Sequence, residues 1–563
     1  MPEHMRHAKS ANTEAATDDP GVTSSRRLVW IGVALALLVG LPFLTKAFHI
    51  DDTVVLTVAE QITRDPARPF HASINWFGDP QPIFRETTNP PLVSYYLAPV
   101  VAASGFAEVP LHAAMLLYLV ILGVATAALS RRFAGGSVWP VLFVMLSPAV
   151  VPSTNVMRDV PLAAVSAAAA ALFIVGVDRQ SRQLVVAGSV VAGLAVLTKY
   201  SGAVLLPVLA LYALLQRRGR YALWLLLPLA MLGLWSLHNQ LVQGRTHLGY
   251  LFAERRNDVP ISDRLYATVV IVGASLYLLP ALVADVLRRR RVWLLVCAVA
   301  GAGLAFLGGW LHNEREVGWQ YTLWLTTGGA LIALLLVPGL AAARGALSRD
   351  YRTGADTLFL ALWAGAILAF GVLFVMFQAV RHVIPAVPPL ALLGVRLLHR
   401  GTARAAWRSW VLGVLVAGQA AVAFAVAAAD YEYARTYRDF ALRAQERLPR
   451  DGREIWFSGN WGWQRHALSA GFTLIAEHGR LPRVGDLILI PDRVHRGPLP
   501  EGLELEQIEE KTYRGRIPIH TMVSSGASFY SVTSHSVPYA FTRERDLETF
   551  RVFRVESVAR PES

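Results

Sequence analysis

One cysteine, Cys297, is all the thiol this chain of 563 residues carries. An intramolecular disulfide is thereby excluded, and nothing supports a Cys-based metal site. Its apolar flanks make it a packing residue. Charge is scarce as well, at 17% of residues against 54% hydrophobic. That balance excludes an ordinary soluble protein, and repeated apolar runs of about 20 residues mark a multi-span membrane protein. Acidic residues are the minority sign, which leaves a net charge of +13. The excess does not point to nucleic acid, because the arginines cluster in short linkers between apolar runs and so read as topology signals. No internal repeat occurs, and no low-complexity stretch lies beyond a polar N-terminal tail.

Residues 1–25 read as a disordered cytoplasmic tail. The run 28–48 is too long for a signal-peptide core and reads as a retained anchor. Further apolar runs lie near 109–130, 137–153, 160–177, 184–198, 200–215, 221–241, 264–287, 292–311, 320–342, 357–378, 383–398 and 409–429. The pattern predicts a mainly α polytopic membrane protein with about thirteen transmembrane helices. Segment 92–104 is apolar but short, an interfacial helix or the start of the second span. Arginine pairs and clusters fall in alternate linkers, from Arg26-Arg27 and Arg131-Arg132 to Arg400, Arg404 and Arg408. They place those linkers and the N-terminus in the cytoplasm and put loop 49–91 and everything after residue 430 outside the cell.

From residue 431 the composition changes. Residues 431–450 are charged with a helical pattern. Short strands are expected at 454–458, 486–491 and 549–555, with a helix at 463–470. The chain thus divides into the tail 1–25, a transmembrane domain 26–430 and a small extracytoplasmic α/β domain 431–563.

The outward side gathers the polar residues worth attention. Asp51 and Asp52 follow the first span. Side by side they could cap a helix, since Asp is a good N-cap residue, or supply a base or a metal ligand. Arg158-Asp159 could be a local pair that opens a helix. Lys199 stands between two apolar runs with almost no loop around it, either snorkelling to the interface or binding an anion. Arg381 could be an aqueous flank. Outward loops also carry Glu314, Glu316, Arg255 and Arg256. Convergence of so many charges at one depth favours a shared polar cavity.

The order of these features resembles a known family. A span is followed by an acidic pair, a loop ending in Pro90-Pro91-Leu92, and an Asp opening a later span. Then come Leu197-Thr198-Lys199-Tyr200 and the late segment Arg381-His382-Val383-Ile384-Pro385. The set resembles the GT-C superfamily of polyprenyl-phosphate-sugar-dependent glycosyltransferases. Its nearest branch is similar to bacterial relatives of protein O-mannosyltransferase and lipid A aminoarabinose transferase. Asn460-Trp461-Gly462-Trp463-Gln464 is similar to a motif in the tails of many bacterial members. Asp51-Asp52 stands where the family usually has Asp-Glu, and Asn89 where it often has His or Lys.

The resemblance implies transfer of a sugar, with inversion, from a lipid phosphate to a glycan, lipid or protein acceptor at the outer face of a bacterial-type cell membrane. Asp51 would act as base, with Asp52 orienting it or binding acceptor. Lys199 and Arg381 would neutralise the phosphate, while Asp159, Arg158 and Tyr200 complete the substrate site. No cofactor is required by this chemistry, although carboxylates could hold Mg²⁺ or Mn²⁺. Trp461 and Trp463 are read as core residues, with sugar stacking as the alternative. A transporter or flippase of a lipid-linked sugar is the rival reading. It is disfavoured here by the lack of repeats and of broken mid-membrane helices.

Overall fold

The computed structural model describes residues 23–78, 80–254, 259–310, 318–346, 351–401, 404–448, 452–475, 480–523, 526–532 and 536–558. Most of tail 1–25, and Arg255, Arg256, Glu314 and Glu316, therefore lie outside the described residues.

Among those residues the expected helices form wherever apolar runs are uninterrupted. Eight are long and apolar enough to cross a membrane, and nine if the bent pair Ile261–Ser275 and Leu279–Arg288 counts as one span. Four further apolar helices are shorter, among them Leu92–Ser104 and Arg182–Thr198. The count of about thirteen is not reached. The plainest departure is 137–153, where helix is confined to Trp139–Met145. Pro148 and Pro152 lack the N–H that a longer helix needs, so the chain continues in buried turns.

Close packing follows from small residues. A Cβ on Gly32 would come within 2.8 Å of the backbone of Gly123, so helices Ser25–Gly40 and Glu108–Phe133 touch backbone to backbone. The Ala-rich helix Asp159–Arg179 is buried along most of its length at the centre of the bundle.

The bent pair corrects the expectation of unbroken spans, since its halves meet at 84°. Carbonyls freed by the break are satisfied in place. Tyr539 donates to Ala274 O at 2.8 Å, and Ser147 donates to Ser275 O at 2.8 Å. Gln419 accepts from the Tyr277 amide at 3.0 Å. Irregular backbone is tolerated at this depth when protein supplies such partners.

The bundle has two chemically distinct ends. At one, Arg132 pairs with Asp178 and Asp356, and Arg396 reaches Asp356 at 3.2 Å. Thr23 joins this end through a 3.2 Å bond to Gly136 O. At the other, Arg438 pairs with Glu108, and the C-terminal region packs over the helix ends. Helix Ala405–Arg447 runs unbroken through residue 430 and carries the chain into that region.

There a five-stranded mixed sheet forms. Ile455–Phe457 runs parallel to both Thr473–Leu474 and Leu487–Pro491, and Asp546–Val558 lies antiparallel between Leu487–Pro491 and Leu503–Arg514. Helix Trp461–Ser469 follows the first strand. The chain between the last two long strands leaves the sheet and enters the mouth of the bundle. There Gln320 exchanges two 2.8 Å bonds with Phe541, and Val380 N donates to Phe529 O at 3.2 Å.

Candidate functional site

The turn before Asp51 is strained. Ile50 has φ +48°, a left-handed value that a β-branched residue avoids. Two flanking residues fasten this kink from below. Asp52 is fully buried and accepts from the His49 amide at 3.0 Å, with His49 Nδ1 at 3.4 Å from the same oxygen. Strain of this kind persists only where the surroundings over-determine it.

The kink turns Asp51 the opposite way from Asp52. Asp51 occupies the N-cap position of helix Asp52–Arg64, yet its side chain makes no capping bond. Its Oδ2 lies 2.8 Å from Arg381 Nη2 instead, so the capping alternative does not hold. Arg381 continues to Asp159 at 4.0 Å, and Asp159 Oδ1 accepts from Lys199 Nζ at 2.7 Å. Four charged side chains from four distant segments thus form one chain: Asp51, Arg381, Asp159, Lys199.

Each is placed by a local irregularity. Lys199 sits in extended backbone at the break between helix Arg182–Thr198 and the 3-10 turn Tyr200–Val204. Asp159 opens its helix, with Arg158 before it. Arg381 lies in the short helix Val380–Val383, next to a proline-interrupted turn at Ile384–Ala386.

Arg158 is the telling member. It is buried, and its Nε and Nη2 have no hydrogen-bond partner among the described residues. A buried guanidinium with idle donors is costly unless a ligand completes it. With Arg158 the group holds three cations against two carboxylates, the balance that suits an incoming anion. Beside it opens a narrow, partly open pocket. Its polar end holds Lys199, Arg381 and His382, and Trp363, Ile367 and Phe370 line its apolar length. An anionic head joined to a hydrocarbon tail matches both halves.

Two expected members stand elsewhere. Asp52 is enclosed beneath the turn, so it can orient Asp51 but does not reach an acceptor. Tyr200 accepts from Trp235 at 3.0 Å and lies 3.0 Å from His247, whose other nitrogen is 3.1 Å from Thr87 O. It braces loop 49–91 against the helices around Trp235. Among the described residues no group of three or more His, Cys, Asp or Glu could hold a metal ion.

A second polar cluster was not foreseen. Lys46 Nζ donates to Asp430 Oδ2 and Asn155 Oδ1, each at 2.5 Å, and to Pro152 O at 3.0 Å. Tyr530 donates to Asp430 at 2.6 Å and receives Asn155 Nδ2 at 3.1 Å. His49 Nε2 is 2.7 Å from Tyr530 and 3.2 Å from Asp430. Burial opposes charge on His49, but the Asp430 and Asp52 carboxylates outweigh it and raise its pKa above the ordinary value. In the sequence Lys46 lies near the end of the run 28–48 and Asp430 just after the run 409–429.

Residues 88–240, about a quarter of the chain, match the family model of dolichyl-phosphate-mannose-protein mannosyltransferases. The chain resembles the GT-C glycosyltransferases. The matched segment includes Arg158, Asp159, Lys199 and Tyr200 but neither Asp51 nor Arg381. No curated protein matches the chain. Among solved structures it is similar to ArnT from Cupriavidus metallidurans in the apo state, at 17% identity over 83% of this chain and 93% of that one, with a TM-score of 0.41. The same enzyme bound to undecaprenyl phosphate gives 16% identity, coverage of 96% and 100%, and a TM-score of 0.41. The Archaeoglobus fulgidus oligosaccharyltransferase tethered with an acceptor peptide gives 13%, coverage of 80% and 63%, and a TM-score of 0.45. At these scores none of the three carries weight for the chemistry.

Proposed function

We propose that this chain is a membrane glycosyltransferase that moves a sugar from a polyprenyl-phosphate donor to an acceptor hydroxyl at the outer membrane face. The observation that supports it most is buried Arg158 with idle donors, beside the Asp51–Arg381–Asp159–Lys199 chain and an apolar cavity. In the reaction, an acceptor oxygen forms a bond to the anomeric carbon as the bond from that carbon to phosphate oxygen breaks. Asp51 takes the acceptor proton, and the lipid phosphate departs with the electron pair. Its developing charge is met by Arg158, Lys199 and Arg381 in a site largely closed to water. Attack opposite the phosphate inverts the anomeric centre, by the single-displacement logic of inverting glycosidases.

Lys199 provides the test of donor use. Lys199→Met keeps length and apolar stem but removes a point charge next to the phosphate. Binding of a polyprenyl phosphate to the purified protein is expected to weaken by about 10- to 100-fold, the worth of one charged hydrogen bond. Unchanged binding and turnover would return Lys199 to a snorkelling role.

The break at 276–278 is the one feature that favours the rival transporter. Transporters place substrate at such breaks, but here Leu276 and Leu278 are buried and the freed carbonyls already have partners. Orientation belongs to the same proposal. The arginine-rich end is taken as cytoplasmic, so reporters fused after Arg290 and after Leu448 should report opposite sides of the membrane. Reporters on one side would defeat the outward placement of Asp51.

A further inference from the structure

The segment around Trp461 is left over by the donor site, and its geometry is unusual. Trp461 has φ +57°, a left-handed value that is a true outlier for so bulky a residue. Its carbonyl and the preceding side chain are both tied to loop and helix neighbours. Thr53 donates to Trp461 O at 2.9 Å, and Asn460 Nδ2 donates to Trp76 O at 3.0 Å. Neighbouring Gly462 is pressed so closely on the turn before Asp51 that a Cβ would lie 2.4 Å from His49 Cα. Trp463 takes the opposite course. It is fully buried, with its indole N–H donating to Ser458 O at 2.9 Å, and is the core residue the sequence suggested.

The strain at Trp461 has a visible product. Its ring stays partly exposed and meets Trp76 of loop 49–91 at a centroid distance of 6.4 Å. His495 lies 6.4 Å from Trp461 and stands edge-on to Phe77 at 5.7 Å. Phe77 is 62% exposed. Backbones lock the patch, since a Cβ on Gly78 would fall 2.6 Å from Gly497 Cα. Asn460 Oδ1 is buried at the base with no partner among the described residues. Aromatic rings held half-open beside polar edges suit a ligand with one C–H face and a rim of hydroxyls. A protein partner would call for a larger and more apolar patch.

We propose that Trp461 and Trp76 form a saccharide-binding platform that receives the acceptor as a glycan. Naming it the acceptor rests on the proposed function. Thr53, two residues past Asp51, ties the platform through Trp461 O to the start of the helix that follows Asp51. With Gly462 packed on His49 Cα as well, a pyranose on the platform sits next to the turn that carries Asp51. Strained residues cluster at ligand clamps, and here the strain falls on a residue whose ring meets a second indole.

The test uses the full-length protein in nanodiscs with methyl β-D-glucopyranoside and methyl α-D-mannopyranoside as probes. Saturation-transfer NMR should show at least one of them bound to the unaltered protein. Trp461→Ala should weaken that binding by about tenfold or more, and Trp461→Phe, which keeps a stacking face, should recover most of it. Polyprenyl-phosphate binding should be the same in all three proteins, showing that the donor side is intact. Absence of binding by either pyranoside, or equal binding by Trp461→Ala, would overturn the platform. Saccharide binding without any sugar transfer would leave the platform standing and remove the transferase reading. Transfer to a non-saccharide acceptor without pyranoside binding would do the reverse.

Discussion

Asp51→Asn should abolish most sugar transfer while leaving the protein folded, inserted and able to bind donor. The expected loss is about 10²–10⁴-fold in turnover, the usual worth of general-base help. Asn keeps the size of the side chain and can still accept a hydrogen bond from Arg381 at the position now 2.8 Å from Asp51 Oδ2. Geometry should therefore survive, and the change falls on proton acceptance. A capping role predicts a silent substitution, because Asn is also a good N-cap. The absence of any capping bond from Asp51 already argues against that outcome. Asp52→Asn should behave differently. Its carboxylate is enclosed and fastens His49, so the cost should appear first in thermal stability and only secondarily in turnover. Turnover is best measured from purified lipid-linked donor with a hydroxyl acceptor, since an acceptor that attacks through phosphate needs no base. Near-normal rates in Asp51→Asn with a hydroxyl acceptor would remove it from the chemistry.

The sequence made the charged residues of this cluster legible and hid what joins them. Asp51, Asp159, Lys199 and Arg381 stand out because charge at the ends of apolar runs is costly without a use. Their pairing was not readable. It depends on a left-handed Ile50 and on a helix break at Lys199, and neither conformation has a composition cue. Lys46 and Asp430 were harder still. Lys46 sits inside the first apolar run and Asp430 just past the last, and 384 residues separate the partners. The stretch 137–153 departs from the expected span for a local reason, as it has the hydrophobicity of a membrane helix but its prolines lack backbone donors. Strand Leu503–Arg514 was missed because its charged residues stand at the edge of the sheet, where no apolar alternation is required. Trp461 and Trp463 are two residues apart in one motif. Trp463 is fully buried, whereas Trp461, with its left-handed backbone, is only partly so.

The other large effect is expected at Asp430, far from the reacting atoms in sequence and one layer below them in space. Asp430→Ala strips Lys46 of its counter-charge while Lys46 remains 1% exposed. Leaving one member of a buried ion pair alone typically costs about 3–5 kcal/mol. His49 loses its carboxylate on the same side and keeps only Tyr530 and Asp52. The purified protein should melt at a markedly lower temperature or fail to insert. Removing both charges should behave otherwise. In Lys46→Met with Asp430→Leu, side chains of similar volume fill the space and the buried charge is gone, so stability should recover in part, the remainder lost to the Asn155, Tyr530 and Thr521 groups left without this partner. A double variant as unstable as Asp430→Ala alone would show that the pair's charges are not what the substitution disturbs. Activity in the double variant should nevertheless stay low. Asp430 also gathers Tyr530 and Thr521 from the C-terminal region, and those contacts close over the turn that holds Ile50 at φ +48°. Without that anchor the turn can relax, and Asp51 loses its fixed approach to the acceptor. Recovered stability with lost turnover and normal donor binding is the split that identifies Asp430 as a positioning residue. Recovery of both would confine it to folding.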